Sequence, residues 1–199
     1  MSTKSVYHST LTQLLHLFIA AAVVHQLIIS LVMKHPERGS PGDAYFELHE
    51  WVGIASLAAL TVFFLWAVVR RGETNLGMLF PWFSGKRLRA FWMDLKSHLS
   101  SLKAGRIPLT QESPLASAVH GVGLLLALVM ATSGAAGYFI ATARPLLSIH
   151  ETVAPLMWAY LVGHAGLAVL HQLAGHRIFQ SMFGFRAAAR TEQDSLAGK

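Results

Sequence analysis

The chain has 199 residues, of which 53% are hydrophobic and only 13% are charged. A soluble domain carries about 25% charged residues, so this deficit, with a mean hydropathy of +0.46, excludes an ordinary water-soluble fold and predicts an all-α integral membrane four-helix bundle. The absence of cysteine excludes disulfides, thiolate metal sites, iron–sulfur ligation and covalent haem attachment, and the +6 formal charge is of the kind that basic residues flanking membrane spans produce, so nucleic acid is given no weight as a partner.

The first predicted span covers about residues 12–33. Lys4 and the apolar run after it look like a signal-peptide core, but the run is too long and its AAA at 20–22 lies in the middle, so the span is expected to be retained. It carries His16 and His25, nine residues apart and therefore on opposite faces of a helix. The connection KHPERGSPGDAYFE ends the helix with proline and glycine. A second span, about 47–69, opens on HEWVG, with His49 at its edge and Gly53 one turn later on the same face. A glycine there leaves room for a flat macrocycle against the backbone.

Residues 70–111 form the longest polar connection. Within it Leu88, Phe91, Trp92, Leu95, Leu99 and Leu102 make one helical stripe among basic residues, predicting a short amphipathic helix at about 86–104 that lies in the membrane interface. The third span, about 115–141, starts with His120 and carries SGAAG at 133–137, small residues that let a helix or cofactor come close. After a short turn at Arg144 and Pro145, the fourth span covers about 147–174, with Pro155 one turn in as a potential kink. Residues 184–199 are expected to be a polar cytoplasmic tail. Of sixteen Lys and Arg residues, only Lys34, Arg38 and Arg144 fall on one side of this topology. The positive-inside rule then predicts that both termini lie inside.

The segment IHETVAPLMWAYLVGHAGLAVLH holds His150, His164 and His171. Fourteen residues bring a helix back to within about 40° of the same face and about 21 Å along its axis, near the two sides of a hydrocarbon layer of roughly 30 Å. An ionisable residue inside a span is a functional candidate by default. Depth pairs His49 with His150 at the outer side and His16 with His164 toward the inner side, as two stacked bis-histidine haem sites would require. Met157 lies midway between the two ligands of the fourth span. For His25, His120 and His171 a simple hydrogen bond to a backbone carbonyl competes with any role, and His8, His35, His98 and His176 read as solvated or interfacial. Arg38, Arg70, Arg71 and Arg144 suit haem propionates and plain topology equally well.

LLHL around His16, HEWVG with His49, and IHET…GHAGLAVLH with its fourteen-residue spacing resemble the bacterial cytochrome b561 family. That broad group includes the b-type membrane subunits of nickel–iron hydrogenases and formate dehydrogenases. The resemblance spans residues 10–183 as one dihaem domain. It departs at Leu17 and Gln172, where many relatives have tryptophan and a second histidine. It implies two haem b groups with His16, His49, His150 and His164 as axial ligands, and a quinone as substrate. His120 and His171 are candidates for a quinone or proton role. The expected function is electron transfer between a periplasmic redox protein and the quinone pool, as the membrane subunit of a respiratory enzyme. A stand-alone superoxide:quinone oxidoreductase is the alternative, and a histidine-lined metal transporter a third reading from another class.

Overall fold

The structure, a computed structural model, describes residues 8–37, 40–70, 75–105, 113–175 and 178–183. It is all-helical, with no strand among the described residues: α1 (Thr10–Ile29), α2 (Ala44–Val69), α3 (Leu76–Leu79), α4 (Gly85–Lys103), α5 (Pro114–Phe139), α6 (Leu146–Leu173) and α7 (Ile178–Phe183). Four helices, α1, α2, α5 and α6, are long and apolar enough to cross a membrane. They are the four predicted spans, and α4 is the predicted helix between the second and third. Arg38, Arg71, His176 and the 184–199 tail lie outside the described residues.

The helix ends differ from expectation for local reasons. α2 starts three residues before the predicted Glu47 because Asp43 caps it: the Phe46 N–H donates to Asp43 Oδ1 at 2.9 Å. Desolvation pushes the Asp43 carboxyl up, but the backbone N–H of Phe46, contacts at Lys34 and the Lys34 charge outweigh it and hold it below its ordinary value of 3.8. α1 ends at Ile29, short of the predicted residue 33. There the N–H groups of Leu31 and Val32 turn to carbonyls three residues back, each at 3.1 Å, and Ser30 Oγ donates to the Leu27 carbonyl at 2.9 Å. α6 runs unbroken through Pro155.

The connection after α2 holds more than polar loop. Asn75 caps α3, accepting from the Met78 N–H at 3.1 Å, and a 3-10 turn follows at Pro81–Phe83. Leu79, Phe80 and Pro81 are buried. The Leu79 carbonyl presses on α5 at Gly121, where any side chain would overlap it. Arg87 Nη1 donates to the Gly77 carbonyl at 3.0 Å, and Asp94 Oδ2 accepts from the Leu115 N–H at 3.0 Å. A carboxylate on α4 thus caps the first turn of α5, where the helix dipole favours negative charge.

The described residues form two compact units. One contains the chain up to His16, Trp66–Val122 and the part after His164; the other contains Leu17–Leu65 and Gly123–His164. The core of the second unit takes one buried residue from each long helix: Leu27, Leu60, Ala127 and Met157. Glycines on α5 admit side chains from α6: Tyr160 over Gly123, His150 over Gly134 and Leu147 over Gly137. In the first unit Thr12, Gln13 and Arg70 are buried. Trp66 Nε1 donates to Thr12 Oγ1 at 2.9 Å, and Arg70 Nη1 lies 3.5 Å from the same oxygen. The Thr12 hydroxyl is thereby shared between the indole and the buried guanidinium.

Candidate functional site

His49 lies in the second turn of α2, and His150 occupies the matching place in α6. Both belong to the second unit. Their ring centroids are 6.0 Å apart, with planes at 87°. A zinc–imidazole bond, a gauge for first-row metals, is about 2 Å long, so a metal held between two imidazoles sets their ring centres roughly 6 Å apart. The pair predicted from depth is therefore brought together at a separation that fits one metal centre between the rings.

His150 is fixed from behind. Its Nδ1 lies 2.8 Å from the Met130 carbonyl on α5. A carbonyl only accepts, so Nδ1 carries the proton and Nε2 keeps its lone pair, the tautomer a ligating imidazole needs. The sequence makes this contact possible. In a helix the carbonyl of residue 130 lies beside residue 134, and residue 134 is glycine. A Cβ there would come within 3.1 Å of His150 Cε1 and Nδ1.

The same device recurs at His49. Gln26 on α1 donates from Nε2 to the His49 carbonyl at 2.8 Å. The residue four positions on is Gly53, whose missing Cβ would lie 2.9 Å from Gln26 Nε2. The room expected to receive a macrocycle at Gly53 is thus occupied by a carboxamide. Three buried atoms here have no hydrogen-bond partner among the described residues: His49 Nδ1, His25 Nδ1 and Gln26 Oε1. Buried polar atoms are nearly always satisfied, and three together in one unit are what a binding site would leave.

The other proposed ligands have ring neighbours. His164 stacks on Tyr160, one turn earlier in α6, with centroids 5.4 Å apart and planes at 12°. His16 has the Phe183 ring of α7 at 6.0 Å, tilted by 51°. His16 belongs to the first unit and His164 to the second, and each is described in its own surroundings. His120 and His171, the proton or quinone candidates, are half-buried in the first unit. His120 Nδ1 donates to the Ala116 carbonyl one turn earlier in its own helix, at 2.7 Å, rather than to a carbonyl on a neighbouring helix. Among the described residues no three or more His, Asp or Glu side chains gather as a metal centre, so His49 and His150 stand as a pair. Sequence reasoning missed Gln26, Met130 and Tyr160. An amide inside an apolar span, which must find a partner, was the available signal for the first.

A family model described as prokaryotic cytochrome b561 matches residues 7–185. No curated protein and no solved structure matches the chain.

Proposed function

We propose that this chain, which belongs to the prokaryotic cytochrome b561 family, carries electrons across a prokaryotic membrane between a redox protein outside and the quinone pool. The family implies haem b. The proposal adds that there are two such groups, one between His49 and His150 and one between His16 and His164. Haem, when bound, supplies the one-electron chemistry, and the protein supplies ligands, orientation and a dry surrounding. The observation that carries the reading is the facing His49–His150 pair, 6.0 Å apart, with the His150 Nδ1 proton committed to the Met130 carbonyl.

Two imidazoles per iron leave no open axial position, which suits electron transfer rather than oxygen binding. The Met130 carbonyl orients the His150 ring against α5, in the room that Gly134 leaves. Tyr160 stacked on His164 limits that ring in the same way. In this reading both termini lie inside, which the asymmetry of Lys and Arg supports. α4, with its basic residues and apolar stripe, then lies in the inner interface. His120 and His171 are at the inner end, where quinone reduction needs protons. The chain in this reading is the membrane subunit of a respiratory enzyme.

Sealed vesicles test it. Purified protein is reconstituted with ferricyanide trapped inside and a membrane-impermeant reductant outside. The wild type should bleach the trapped oxidant, and His164→Ala and His150→Ala should not. Equal bleaching by protein-free vesicles and wild type would remove the transmembrane role. Quinone reduction by superoxide without any partner would assign the chain a stand-alone activity instead of a subunit's.

A further inference from the structure

We propose that, in the haem-loaded protein, Gln26 becomes the hydrogen-bond acceptor for the ring N–H of His49, and so sets the electron density of that ligand. The inference rests on the haem ligation proposed above. A ligating histidine almost always gives its second ring N–H to an acceptor, which fixes its tautomer and raises its basicity. His150 has one in the Met130 carbonyl. His49 Nδ1 is buried and has none among the described residues.

Gln26 Oε1 is the complementary orphan, a buried acceptor with no donor among the described residues. The identity of its two amide arms is settled by chemistry. The arm 2.8 Å from the His49 carbonyl must be the NH2, since the carbonyl can only accept. The oxygen is therefore the free arm of an amide already anchored on the backbone of the residue whose ring needs it. Gly53 makes the anchoring possible, because any side chain there would meet Gln26 Nε2. His25, the neighbour in sequence, leaves α1 at about 100° from Gln26 and is not tied to that carbonyl by any described hydrogen bond. Gln26 is thus a positioning residue: one arm donates to the backbone of His49, and the other, which makes no hydrogen bond to the ring in this structure, accepts the ring N–H in the haem-loaded protein.

The test is a redox titration of purified, haem-loaded wild type, Gln26→Met and Gln26→Glu. His49→Ala identifies which midpoint belongs to this haem, as the one that disappears. An acceptor on the imidazole N–H makes it a stronger donor to iron and favours the ferric state. Gln26→Met keeps the length and loses the acceptor, so this midpoint should rise while the other stays. Gln26→Glu keeps an acceptor oxygen and loses the N–H to the His49 carbonyl, so its midpoint should not rise. An unchanged or lowered midpoint in Gln26→Met would overturn the proposal. A rise in both variants would overturn it too, since the loss of the backbone clamp would then be the cause, as would loss of this haem from both. Wild type lacking two haems would instead strike the underlying ligation, so the two failures are distinguishable.

Discussion

Two of the proposed ligands on α6 lie fourteen residues apart on one helix, and the structure holds them by different means. His150 is oriented by a hydrogen bond to a carbonyl on another helix, reached through a glycine. His164 is oriented by a ring stacked on it from its own helix. A hydrogen bond fixes both the direction of the ring and the position of its proton. A stack fixes the plane alone and leaves the proton to other neighbours. The lesson is that one helix face can present two imidazoles that both rely on glycines of α5 but by different routes, His150 lying directly over Gly134 and His164 stacking on Tyr160, which lies over Gly123.

Removing ligands should have the largest effect and break the comparison most cleanly. His150→Ala and His49→Ala should each delete the same haem, and His164→Ala the other, read from haem absorbance per chain. If His150→Ala and His164→Ala removed the same spectral component, the two positions would not be separate sites. Next comes Gly134→Val, which places branched carbon where even a Cβ would lie 3.1 Å from the His150 ring. Overpacking of this kind costs about 1–3 kcal/mol. Haem at the His49–His150 pair should be retained roughly tenfold or more less tightly, measured by transfer to apomyoglobin, with the other haem unaffected.

Tyr160→Leu sharpens the other side of the comparison. Losing an aromatic stack forfeits about 0.5–1.5 kcal/mol, so the ferric low-spin resonance of the His164 haem alone should broaden or shift. Tyr160→Phe keeps the ring and should leave that resonance in place. The smallest effect lies outside both sites, at the cap of α2. The Asp43 carboxyl is held below its ordinary value of 3.8, so its stabilising contribution is present above that value and is lost as pH falls through the lowered one. Amide exchange in the first turn of α2 should speed up in Asp43→Ala at neutral pH, and the difference from wild type should shrink in acid.

The long elements were legible because hydropathy over some twenty residues is a strong signal; all four spans stand within a few residues of their predicted bounds. The proximity of the His49 and His150 rings was legible too, since each opens a span on the same side and depth along a helix is simple arithmetic. What local pattern could not carry was contact between helices. Gln26 differs from its apolar neighbours only by an amide, and its destination, the His49 carbonyl, becomes available only because residue 53 lacks a side chain. Gly53 reads in the sequence as room for a macrocycle, and the structure sets the Gln26 carboxamide there. The burial of Leu79, Phe80 and Pro81 within a nominally polar connection was likewise hidden, because three apolar residues in a loop carry no period. The Asp43 cap is written in the sequence as an acidic residue just before an apolar run, a signal that hydropathy does not register.

Haem stoichiometry reaches the central claim most directly. A pyridine haemochrome assay on the purified chain, with protein measured by amino-acid analysis, should give two b haems per chain for wild type and one for His49→Ala. One haem in the wild type, or an unchanged count in His49→Ala, would contradict the account.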